Sequence, residues 1–129
     1  MDLVNLTPHA VVLYERGACE EVGGKLVLKN KSARGFVSIP SSGLSRVRLG
    51  EEDHGAIKIG KRFVPLTKME YGEPVGLPEK RENTMFIVSA ITATAAAKSG
   101  RETDDLLIPA GVVRDERGIV IGCTKFAVL

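Results

Sequence analysis

Glycine and proline recur every few residues through the first 76 positions, apart from the stretch after Gly24, and then vanish between Glu79 and Ser99. Breakers at that density leave room only for short elements, because proline lacks the N–H that extends a helix or ladder and glycine costs chain entropy. Between them sit β-branched runs at Ala10 to Tyr14, Lys25 to Leu28, Phe36 to Ile39, Leu44 to Leu49 and Arg62 to Thr67. The pattern predicts short strands joined by tight turns, followed by one region where a helix fits.

That region divides in two. Thr84 to Val88 is a compact apolar run of strand length, expected as a central buried strand. Ser89 then offers an N-cap for a helix over Ala90 to Lys98, with Ser99-Gly100 as its stop. Alanine at 90, 93, 95, 96 and 97 favours the helix and lets it lie close to a sheet. Thr92 and Thr94 leave a strand running on to Thr94 as the alternative. Near the end, Gly111 to Arg114 and Ile119 to Cys123 flank Asp115-Glu116-Arg117-Gly118 as a hairpin, and Leu106 to Ile108, before Pro109, reads as one more strand. The expected architecture is α+β: a β-rich single domain over residues 1–129, a curved sheet or partial barrel with one main helix at about 90–98.

Length and charge narrow the function. A chain of 129 residues, 43% of them hydrophobic, is large enough to build a core without disulfides or a structural metal. A net charge of +2, with basic residues dispersed and aromatics at 5%, gives no footprint for DNA or RNA. No apolar run approaches the ~20 residues of a membrane span, and Met1 to Val4 lacks the pattern of a secretion signal, so a cytoplasmic setting without membrane contact is expected. In that setting Cys19 and Cys123 read as free thiols. His9, His54 and the two cysteines form no ligand spacing, so no metal or other cofactor is expected. Nucleophile-elbow and phosphate-loop motifs are lacking as well, and the acidic pairs Glu20-Glu21 and Asp104-Asp105 read as solvated loops.

Three segments concentrate polar chemistry. Asn5-Leu6-Thr7-Pro8-His9 is either a cap on the first strand or part of a binding loop. Pro40 to Arg46 gathers three hydroxyls, flexible amides and a guanidinium, the groups that cradle an anion. Tyr71 to Pro78 reads as a rigid loop whose aromatic ring can stack on a flat ligand. Each also satisfies the needs of an ordinary turn.

The motifs Val4-Asn5-Leu6-Thr7-Pro8-His9-Ala10, Ile39-Pro40-Ser41-Ser42-Gly43, Tyr71 to Pro78, Phe86 to Ser89 and Val113 to Gly118 together span nearly the whole chain. In this pattern the sequence resembles a family of small uncharacterised bacteriophage and prophage proteins that begin with an Asn-Leu-Thr-Pro-His motif. The resemblance implies a viral accessory protein made in a host bacterium's cytoplasm, and it assigns no catalytic residue. In that context the expectation is a non-catalytic, anti-defence protein that binds and sequesters a small anionic, nucleotide-like host immune signal. Its ligand-binding residues would be Thr7, His9, Ser41, Ser42, Gly43, Arg46, Tyr71 and Arg114. The alternatives are a small hydrolase of such a signal, with His9 as general base, and an adaptor that binds a host protein. Unpaired sheet edges at the short terminal strands predict a homo-oligomer.

Overall fold

A computed structural model describes all 129 residues. In chain order the elements are β1 (Asp2–Asn5), β2 (Val11–Leu13), a 3-10 turn (Arg16–Ala18), β3 (Cys19–Val22), β4 (Lys25–Leu28), β5 (Val37–Ile39), β6 (Arg46–Ile59), β7 (Arg62–Val75), β8 (Thr84–Ile87), α1 (Ala90–Lys98), β9 (Leu106–Arg114) and β10 (Val120–Ala127). Eight strands form one sheet in the order β1-β8-β9-β10-β2-β5, with β4 joined to the far end of β9 and β3 paired to β4. A parallel bridge from Asn5, at the end of β1, to Ser41, just past β5, draws the two edges together. The result is the expected α+β arrangement: a curved, nearly closed sheet with a single helix.

Alternation along β8 explains how both faces are filled. Phe86 and Val88 point to α1 and pack with Leu6, Ala93, Ala96 and Leu106. Ile87 points the other way, against Val11 and Cys123 inside the curve of the sheet. Both faces of the strand are thus buried, which is why its sequence runs apolar without a polar alternate. A third cluster, Tyr14, Cys19 and Val113, fills the end capped by the β3–β4 hairpin. Cys19 and Cys123 are buried and unpaired.

The helix matches its expected bounds because its ends are locally encoded. Ser89 Oγ accepts a hydrogen bond from the Thr92 N–H at 3.2 Å, and Gly100 takes φ 89 beyond the last turn. Ala93, Ala95 and Ala96 are buried, whereas Ala90 and Ala97 remain exposed, so the packing stripe is narrower than the run of alanines.

Two expectations are corrected. Residues 46–75 do not form short strands between turns but a two-stranded antiparallel ribbon of two 14-residue arms. Its breakers are absorbed as irregularities: His54 and Gly55, the latter at φ 82, stand opposite Leu66 alone, and a second register shift falls between Val47 and Leu49. A two-stranded ribbon has no third strand that needs the N–H missing at Pro65 or Pro74, so proline is tolerated there. Tyr71 to Val75 accordingly belongs to β7 rather than to a loop. Likewise Leu106 to Ile108 and Gly111 to Arg114 are one strand. Pro109 falls where β9 has left β8, whose pairing ends at Leu107, and has not yet met β4, whose pairing begins at Val113. Gly111 at φ 58 makes the bend, with Thr124 where a Cβ would lie.

Candidate functional site

The segment between β1 and β2 is organised by Asn5, whose side chain is fully buried. Its Nδ2 donates to the carbonyls of His9 and Ile39, both at 2.9 Å. Its Oδ1 accepts from Thr7 N–H at 3.0 Å and Thr7 Oγ1 at 2.6 Å. All four hydrogen-bonding positions of the carboxamide are used. The backbone of Asn5 also accepts from Ser42 N–H, and Leu6 accepts from Ser45 N–H, so the loop after β5 is laced to this segment.

This lacing decides which hydroxyls remain free. Ser41 Oγ lies 2.6 Å from the Thr7 carbonyl and 3.0 Å from that of Gly43, which commits its proton within the loop. Thr7 Oγ1 spends its proton on Asn5 Oδ1 or the His9 carbonyl. Ser45 is different. It is 4% exposed, and its Oγ has no hydrogen-bond partner. A buried hydroxyl without a partner costs about 1–3 kcal/mol.

Ser45 lines a cleft of about 420 Å³ between the base of the ribbon, the start of α1 and the Leu6-Thr7-Pro8 turn. Leu44, Leu49, Met69 and Ile91 give it apolar walls, and Arg46 and Tyr71 stand at its margin. Arg46 is exposed and engaged in no ion pair. Ser89, Ile91 and Thr92 bring the helix N-terminus to the same wall, where the first-turn N–H groups have no intrahelical acceptor. The partial positive charge of that terminus adds to the guanidinium. A second cleft, about 470 Å³, shares Tyr71 and Ile91 with the first and carries Glu73 and Lys98.

The structure therefore brings Thr7, Arg46 and Tyr71 to one cleft. Ser41, Ser42 and Gly43 do not line it; the Ser41 hydroxyl and the Ser42 N–H instead tie the loop to Thr7 and Asn5. His9 contributes its carbonyl to the Asn5 network, and its exposed side chain does not line the cleft. Arg114 is engaged elsewhere, donating to the Gly118 carbonyl at 2.8 Å across the β9–β10 turn. Ser45 is the residue a reading of motifs passes over, since nothing local distinguishes it from Ser41 and Ser42.

The shifted titrations lie outside this cleft. Hydrogen bonds from Lys80 hold the Asp104 carboxyl below its ordinary range, and the same contacts raise Lys80. The Ile119 N–H, with that of Arg117, holds Asp115 low, and burial raises the Cys123 thiol. No helix is long and apolar enough to cross a membrane. No group of three or more His, Cys, Asp and Glu side chains converges on a point. Comparison with protein families, with characterised proteins and with solved structures finds no match to the chain.

Proposed function

We propose that this protein binds a small anionic, nucleotide-like ligand in the cleft between the α1 N-terminus and the base of the β6–β7 ribbon, without transforming it. The observation that carries the reading is that one cleft is lined both by Arg46, whose guanidinium has no ion-pair partner, and by Ser45, whose buried hydroxyl has no hydrogen-bond partner. A phosphate group would neutralise the guanidinium and draw on the helix-start N–H groups other than that of Thr92, which Ser89 Oγ already holds, and a rotation of the Ser45 side chain, whose Oγ is sealed from solvent, would give that hydroxyl its missing partner. The Tyr71 ring and the aliphatic walls suit a base. The cleft volume of about 420 Å³ falls in the ordinary range for small-ligand sites.

Binding is favoured over hydrolysis because the cleft lining includes neither a carboxylate nor an imidazole to act as general base. Together with the resemblance to phage proteins, this supports an accessory protein that withholds a nucleotide-type immune signal inside an infected bacterium. Sequestration at nanomolar levels needs about −12 kcal/mol.

Calorimetric titration with cyclic and linear adenine and guanine nucleotides tests the proposal. Binding of at least one of them is expected, weakened at least about tenfold by Arg46→Ala and by Ser45→Ala, with the nucleotide recovered intact after heat release. No binding by any nucleotide, or equal affinity in both variants, refutes the assignment and leaves the adaptor reading. Recovery of a cleaved product refutes the non-catalytic part alone.

A further inference from the structure

Two clefts meet between α1 and the base of the β6–β7 ribbon, and they differ in charge. The first, at the helix start, has Arg46 as its sole charged residue. The second, about 470 Å³, runs past Ala90 and Ala95 toward the helix end and is lined by one acid and one base, Glu73 and Lys98. Tyr71 and Ile91 belong to both clefts, and at 53% and 55% exposed each leaves a large apolar surface uncovered at the junction.

Local structure decides which groups of the second cleft are free. Thr94 Oγ1 donates to the Ala90 carbonyl and Ser99 Oγ to that of Ala96, both at 2.8 Å, so these hydroxyl protons are spent on the helix. Glu73 and Lys98 form no ion pair with each other or with any other residue. Glu73 stands where β7 carries one residue too many: Gly72 and Glu73 face Arg48 alone, between the pairs Leu49 with Tyr71 and Val47 with Pro74. Such a bulge re-aims the side chains beside it, and Gly72 sets no side chain between Tyr71 and Glu73.

We propose that the second cleft reads the base of the nucleotide and selects guanine, an inference that rests on the phosphate occupying the first cleft. The charges divide the ligand. A phosphate is drawn to Arg46 and repelled by Glu73, so the uncharged, hydrogen-bonding base falls to the second cleft. There the Glu73 carboxylate only accepts and the Lys98 ammonium only donates. Guanine alone of the common bases offers a carboxylate two adjacent donors, N1–H and the 2-amino group, with the O6 acceptor for Lys98 on the same edge. Adenine offers it only the 6-amino group. A two-pronged, charge-assisted contact is the stronger of the two, and Tyr71 and Ile91 supply apolar cover for the ring.

Calorimetric titration of the full chain with GMP, IMP and AMP, and with cyclic di-GMP beside cyclic di-AMP, tests the assignment. Guanine is expected to bind about tenfold or more tighter than adenine on the same phosphate frame, and GMP tighter than IMP, which lacks the 2-amino donor. Glu73→Gln, isosteric at an exposed position, keeps one acceptor and turns a donor toward the second guanine donor. It is therefore expected to erase the gap between GMP and IMP. Lys98→Met is expected to weaken GMP and IMP alike, since both carry O6. Equal affinities for guanine and adenine nucleotides overturn the proposal, and so does a gap between GMP and IMP that survives in Glu73→Gln. Where nucleotides bind without regard to base yet lose affinity in Arg46→Ala, this inference alone falls and the first-cleft reading stands. Where no nucleotide binds, both fall.

Discussion

Replacing Asn5 by alanine tests whether one buried carboxamide holds the start of the chain to the loop bearing the candidate site. The substitution strips partners from Thr7 N–H and from the carbonyls of His9 and Ile39. Thr7 Oγ1 already lies 3.0 Å from the His9 carbonyl and can turn its freed proton there. That leaves two backbone groups unmatched, each worth about 1–3 kcal/mol. Water reaches part of this surface turn, so the expected loss is about 3 kcal/mol, a large share of the roughly 5–15 kcal/mol typical of a domain. Urea unfolding measures it, and a loss under about 1 kcal/mol would refute the reasoning. Asn5→Asp gives the sign of the electrostatics. A carboxylate there faces two carbonyls and is desolvated, which raises its folded-state pKa above that of the unfolded chain. Stability relative to the wild type at the same pH should then be greatest below the unfolded carboxyl pKa and be lost as pH rises through the folded one. A deficit that does not narrow between neutral pH and pH 4 contradicts that account.

Two further outcomes follow from packing and charge. Ala93→Leu should lower stability by about 1–3 kcal/mol by overpacking the α1–sheet contact, whereas Ala97→Leu, on the exposed side, should stay within about 0.5 kcal/mol; denaturant midpoints of the two variants compare them directly. Arg101 donates to both Asp105 oxygens at 2.8 Å and to the Pro78 carbonyl at 2.9 Å, with the Asp105 side chain only 6% exposed. Arg101→Met should therefore cost about 3–5 kcal/mol by leaving that carboxylate unpaired, and a melting temperature equal to wild type would show that the pair is dispensable.

What the sequence settled by itself was local. Ser89, the alanines and Gly100 encode both ends of α1, because a cap and a stop act within four residues of chain. The apolar run of β8 and the Asp115–Gly118 turn are local in the same sense: the N–H groups of Arg117 and Ile119 bond to Asp115 itself. Only the tertiary structure decided the rest. Gly50, Gly55, Pro65 and Pro74 read as strand ends, yet the ribbon takes Gly55 into a bulge and keeps Gly50, Pro65 and Pro74 in paired register, and its tolerance of the prolines depends on there being no third strand. Among the hydroxyls of the 40–46 loop, Ser41 finds the Thr7 carbonyl 34 residues away, while that of Ser45, a residue of the cleft wall, is buried and finds no partner. A hydroxyl's role is set by the carbonyl that folding brings to it, and neither composition nor spacing carries that distance.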